Sequence, residues 1–242
     1  MNNRASKLLA VIVSTLAFSA QINAAPPTED EVGDVGSFGH AALYMGAKSG
    51  FIQFSHDPCV PPSPPDPRTR CFQFAPAPGV ATFDAPELFT INLPKKATRT
   101  IIYPALNFFV SYQLRNTTSV PQNQGVFAFS ATVTIESDAL LDPSIIDPAT
   151  GDPANGKLVN QFSYRYNDDR YMDVNARQRT QITLTRVGNA GINKGQLIAS
   201  GLSPAVVDNL FAGPMKVHMS VEGRTALVTD ANLTANMRLF GD

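Results

Sequence analysis

An all-β fold, a single antiparallel β-sandwich of jelly-roll or immunoglobulin-like type, is what three features of this sequence predict. Short runs recur in which apolar and polar residues alternate, turn-forming dipeptides separate them, and no strand–helix–strand rhythm appears. Alternation carries the argument. Successive side chains of a strand point to opposite faces, so a strand that is buried on one side and wet on the other must alternate in polarity.

The chain opens on a secretory leader. Arg4 and Lys7 supply its positive start, and residues 8–20 form an apolar run broken only by Ser14, Thr15 and Ser19. That run is too short to cross a bilayer, which takes roughly 20 apolar residues. Cleavage is expected after Ala24, so residues 1–24 read as a signal peptide. Residues 25–40 read as an extended arm, rich in Pro and Gly, with Glu29, Asp30, Glu31 and Asp34 close together and no strand or helix period. The sandwich domain then spans 41–242.

Within it, weaker strand runs are expected at 41–45, 51–54, 71–74, 89–93 and 98–103. The run at 108–114 is clearer, with Phe108, Val110, Tyr112 and Leu114 alternating with Ser111 and Gln113. The strongest is 126–135, where Phe127, Phe129, Ala131, Val133 and Ile135 share one face and Ser130, Thr132 and Thr134 the other. Asp-Pro steps begin at Asp57, Asp66, Asp142, Asp147 and Asp152, and the last three make 142–156 a long loop. Strand runs resume at 158–166 and 178–187. The one short helix falls near 203–211: Ser203 caps, Pro204 suits the first helical position, and Gly213-Pro214 ends it. Met215, Val217, Met219 and Val221 alternate with Lys216, His218 and Ser220, and Leu233, Ala235, Met237 and Leu239 do the same with Thr234, Asn236 and Arg238.

Composition removes several functions. Lys+Arg 19 against Asp+Glu 20 leaves no broad basic charge for nucleic acid, and 43% hydrophobic with 16% charged residues is too apolar for a disordered chain. No second long apolar stretch follows the leader, so no integral membrane span is expected after cleavage. Cys59 and Cys71, the only cysteines, are expected to form a disulfide on the oxidising side of a membrane.

Catalytic signatures are missing from the sequence. There is no G-x-S-x-G elbow, no Walker pattern and no pairing of His40, His56 and His218 at a common spacing; His218 reads as a solvated strand histidine. Glu136 and Glu222 are the carboxylates to test as a glycosidase pair. Tyr164, Tyr166 and Tyr171 flank Asp168, Asp169 and Asp173, a combination suited to a glycan, through aromatic stacking, or to calcium, through clustered oxygens, although Tyr164 and Tyr166 share the parity of Leu158 and Phe162, which makes core packing their simpler reading. Asp142, Asp147 and Asp152 form a second aspartate group with the same calcium reading.

Gly33-Asp-Val-Gly-Ser-Phe-Gly39, the Pro-rich stretch from Cys59 to Cys71 and the ending Arg238-Leu-Phe-Gly-Asp242 together resemble a group of uncharacterised exported proteobacterial proteins. The resemblance implies a Gram-negative setting: periplasmic, cell-surface or extracellular. The expectation is therefore an exported, non-catalytic structural or adhesive protein of the cell surface or matrix, self-associating through strand edges or meeting a surface glycan. The alternative is a carbohydrate- or calcium-binding β-sandwich module.

Overall fold

The computed structural model describes residues 43–60, 64–188 and 191–242. The expected signal peptide, the arm with its glycine motif at 33–39, and His40 lie outside the described residues. Ten strands are present among those described: β1 Leu43–Ser55, β2 Thr69–Gln73, β3 Val80–Leu93, β4 Ile101–Arg115, β5 Gln122–Glu136, β6 Lys157–Met172, β7 Arg177–Val187, β8 Ile192–Asn193, β9 Met215–Ala226 and β10 Val228–Gly241. Two short helices, α1 Lys194–Ala199 and α2 Pro204–Ala212, separate β8 from β9.

The strands form two sheets. The first runs β2-β1-β10-β4-β7, with β8 also on β4, and the second runs β3-β9-β5-β6. Setting aside short β2 and β8, the first long strand pairs with the last, β3 with β9, β4 with β7 and β5 with β6, all antiparallel. That nesting is one long hairpin wound into a two-sheet sandwich, the connectivity of a jelly roll. Between the sheets, Phe108, Val110, Tyr112 and Leu114 of β4 and Leu233, Ala235, Met237 and Leu239 of β10 are buried. Phe127, Phe129, Ala131 and Val133 of β5 and the four apolar residues of β9 are buried with them. Alternation predicts this core because these are the apolar faces of the four central strands.

Besides joining the runs at 41–45 and 51–54 into β1 and starting β3 at Val80, ahead of the run at 89–93, the structure departs from the sequence reading in four places. The runs at 98–103 and 108–114 are one strand, β4, continuous through Pro104. Proline is tolerated there because β4 pairs with β8 through Ile102 and with β7 from Ala105 on, so the missing N–H falls in the gap between partners. β2 lies parallel to β1, because the Pro-rich loop between them is long enough to carry the chain back to the starting end. The Cys59–Cys71 disulfide, with its Cα atoms 5.7 Å apart, closes that loop. The helix over 203–211 is there as α2, with Ser203 Oγ accepting from Val206 N, but α1 precedes it, capped by Asn193 Oδ1, which accepts from Gln196 N at 2.8 Å. The fourth departure is the length of β6, which bears on the site below.

The C-terminal residue acts as a latch. Asp242 Oδ1 accepts from Thr98 Oγ1 at 2.7 Å and from the amides of Arg99 and Thr100 at 3.0 and 2.8 Å, and Oδ2 accepts from the Thr100 hydroxyl. Gly241 must lack a side chain, since a Cβ there would sit 2.8 Å from both Thr98 and Met45. Burial raises the Asp242 carboxyl, but the Thr100, Thr98 and Arg99 donors outweigh it and hold it far below the ordinary carboxylate range. Asp242→Ala is expected to cost about 2 kcal/mol of unfolding free energy in urea titrations at neutral pH. Because the folded value is depressed, the latch contributes fully above the unfolded carboxyl value and is lost as pH falls toward the folded one. The gap between wild type and variant should therefore narrow in acid; a gap independent of pH would refute the latch.

Candidate functional site

The outer face of the second sheet gathers the chemistry. Antiparallel register places Asp84 of β3 opposite Glu222 of β9, Glu222 opposite Ser130 of β5, and Ser130 opposite Arg165 of β6. The adjoining row reads Thr82, Arg224, Ala128 and Asn167 on the same four strands. These positions alternate with buried Phe83, Val221, Phe129 and Ala131, so they point outward.

The two rows line an open groove of about 980 Å³, with Phe72 and Phe83 also contributing to its wall. Within it, Arg165 Nε donates to Ser130 Oγ at 3.3 Å. Among the described residues, the side chains of Asp84, Glu222, Arg224 and Asn167 make no hydrogen bond or ion pair. Two carboxylates placed directly opposite each other repel, at a cost of a few tenths to about 1 kcal/mol. The groove therefore holds carboxylate, guanidinium, amide and hydroxyl groups exposed and uncommitted. Its formal charges cancel.

Farther along the same face lies a second constellation. The register gap between Ala85 and Phe89 sets Pro86, Glu87 and Leu88 opposite Ser220 alone. This bulge turns Glu87 outward at φ +45°, a left-handed backbone that costs a non-glycine residue about 1 kcal/mol, and its N–H donates to Ser220 Oγ at 3.0 Å. A second bulge, on β6 between Leu158 and Phe162, lies opposite Thr134, the β5 partner of His218.

His218 is enclosed between these bulges. It is 3% exposed, which corrects its reading as a solvated strand histidine; the sheet edges fold toward it where a regular sheet would leave it wet. Its Nδ1 lies 2.9 Å from Thr90 Oγ1, and its Nε2 lies 3.2 Å from Glu136 Oε2. Lys157 Nζ sits 2.5 Å from Glu87 Oε1 and 3.3 Å from Glu136 Oε2, while Lys216 Nζ is 2.6 Å from Glu136 Oε1. Lys216, with Lys157, pulls the Glu136 carboxyl down to about 2, and the hydrogen bond from Lys157 lowers Glu87. Burial holds His218 below its ordinary value against the pull of both glutamates.

The residues singled out from the sequence fall in several places. Tyr164, Tyr166, Asp168, Asp169 and Tyr171 all lie on β6, which runs past the expected end at 166 through Met172, and Asp173 follows it. Alternation splits them between its two faces. Tyr164 and Tyr166 pack inward, Tyr164 against Phe108 at 5.2 Å and Tyr166 against Phe129 at 5.7 Å. Asp168 also faces inward, accepting from the Tyr112 hydroxyl and from Arg170 Nε at 2.5 Å, and Tyr166 completes a clip with Tyr112. Tyr171 is exposed and donates to Asp173 Oδ1 at 3.1 Å, and Asp169 also points outward. In the other aspartate group, Asp142 caps Ser144, and Asp147 accepts from the amides of Ala149 and Val159.

Glu136 and Glu222 do not form a pair. They occupy register positions opposite Lys216 and Ser130, six residues apart along β9, which is about 20 Å at strand rise. A glycosidase needs its carboxylates within roughly 10 Å. What sequence reasoning missed was the meeting of Glu222 with Asp84 and Arg165, which depends on the register of four strands. The Glu87 bulge had one visible signal, Pro86 inside an apolar run.

No protein-family model, curated protein or solved structure matches this chain.

Proposed function

We propose that this is an exported, non-catalytic adhesive protein of the Gram-negative cell surface or extracellular matrix, which holds a neutral glycan in the groove of its second sheet. The observation that carries the reading is the row of Asp84 and Glu222, partnerless among the described residues, with Arg165, whose one side-chain contact there is Ser130 at 3.3 Å, and partnerless Arg224 and Asn167 beside it. Charge selects the ligand class. An anion would meet Asp84 and Glu222, a cation would meet Arg165 and Arg224, and an apolar ligand would strand all four without hydrogen bonds. A polyhydroxylated ligand offers donors to the carboxylates and acceptors to the guanidiniums, and the shallow open shape suits a chain of sugars more than a small enclosed ligand.

Export rests on the leader around Arg4 and Lys7 and accords with the Cys59–Cys71 disulfide. Among the described residues no helix is long and apolar enough to cross a membrane. Self-assembly through strand edges has less support. β3 carries Pro86 and its bulge, β6 a bulge, β7 Arg177, Arg179 and Arg186, and β2 is short, all devices that discourage strand addition. A panel of neutral, acidic and amino polysaccharides, followed by calorimetry, tests the proposal. Binding confined to neutral glycans is expected; silence across the panel, or binding only to acidic polymers, counts against it.

A further inference from the structure

Apart from the groove, the buried histidine poses a problem that its own neighbours do not solve. His218 Nε2 has no hydrogen-bond partner although Glu136 Oε2 is 3.2 Å away, because the contact is out of line for an N–H donor. A proton on Nε2 would be a buried orphan donor, so the ring proton is assigned to Nδ1, donated to Thr90 Oγ1. Nε2 then presents a lone pair to a carboxylate oxygen. Two acceptors facing each other at that distance call for a cation.

The remaining groups fit one. Ligand atoms of Glu87, Glu136 and His218 all lie within 4.8 Å of one another, and among the described residues this is the group of three metal-competent side chains that converges so closely. Two bonds of about 2.05 Å meeting at a tetrahedral ion put their ligand atoms about 3.3 Å apart, close to the observed separation of Nε2 and Oε2. Thr90 fixes the ring from behind, as the outer partners of metal-bound imidazoles do. A nitrogen donor beside two carboxylates suits zinc and neighbouring transition ions; calcium takes oxygen ligands.

We infer that Glu87, Glu136 and His218 form a site for a divalent transition ion of the zinc class, whose place among the carboxylates is held by the Lys157 ammonium until the ion arrives. Lys157 bridges Glu87 and Glu136 on a long side chain that is 40% exposed, so it can swing into solvent. The inference does not depend on the glycan reading, which involves other residues.

The test is zinc titration of the purified chain after chelator treatment, by calorimetry and by competition with a chromogenic chelator. One equivalent is expected to bind, millimolar calcium should not compete, and cobalt should give the visible bands of a four-coordinate site. His218→Asn and Glu136→Gln should weaken binding roughly tenfold or more. Lys157→Met should tighten it, since no ammonium has to be displaced, and His56→Ala should change nothing. Failure of the wild type to take up zinc overturns the inference, as does uptake that His218→Asn leaves intact. Should His218→Asn fail to fold, Lys157→Met still decides: an affinity equal to or below that of wild type overturns it.

Discussion

Gly223→Ala is expected to destabilise the protein by about 3 kcal/mol, far more than one methyl group ordinarily costs. Gly223 is an inward position of β9, opposite Phe83 on β3 and Phe129 on β5. A Cβ there would lie 2.2 Å from the Ala128 carbonyl oxygen and 2.5 Å from the Phe83 ring. Carbon atoms at rest sit roughly 3.5–4 Å from their neighbours, so both contacts are well inside repulsion. The ring could turn; the carbonyl cannot, because Ala128 belongs to β5, an inner strand paired on both sides. Gly151 is the control. It has φ +79° and open space for 4 Å around the position an alanine methyl would take, so Gly151→Ala should cost only the roughly 1–2 kcal/mol of a left-handed alanine. Urea unfolding of the two variants separates lost space from backbone strain. Equal losses would mean that the crowding around Gly223 is relieved by small shifts.

The same position shows how far sequence reading reaches. Alternation located β5, β9 and β10 because each has one apolar face and no interruption, and Ser203-Pro204 located α2 because capping is a local interaction. The demand for glycine at 223 was not legible, since nothing local says that Phe83 fills the space of its missing side chain. Pro104 divided β4 into two runs for a related reason: whether a strand tolerates proline depends on where its partners stop. His218 has the right parity for solvent and is buried all the same, because two bulges on other strands enclose it. Parity with Leu158 and Phe162 marks Tyr164 and Tyr166 as inward, as they are, and the same period turns Asp168 inward with them, away from Asp169 and Tyr171. Sequence neighbours were legible; the groove, assembled from one or two residues on each of four strands, was not, because register is set by pairing across long stretches of chain.

The groove can be tested one side chain at a time. For whichever neutral glycan the panel identifies, Glu222→Gln and Arg165→Ala are each expected to lower affinity roughly tenfold to a hundredfold, the loss of about 1.5–3 kcal/mol for a hydrogen bond to a charged group. Neither should lower the melting temperature much. Glu222 faces Asp84 without a partner, so removing its charge relieves repulsion, and Arg165 gives up only its 3.3 Å contact with Ser130. Glu136→Gln provides the contrast, since Glu136 lies on the same face about 20 Å from Glu222 at strand rise. It should leave glycan affinity unchanged while weakening zinc uptake, and Glu222→Gln should do the reverse. If neither groove variant changes glycan affinity, the ligand sits elsewhere on the protein. If Glu136→Gln and Glu222→Gln weaken both ligands alike, the two sites are coupled through β9, whose residues 216–222 are the shortest covalent path between them.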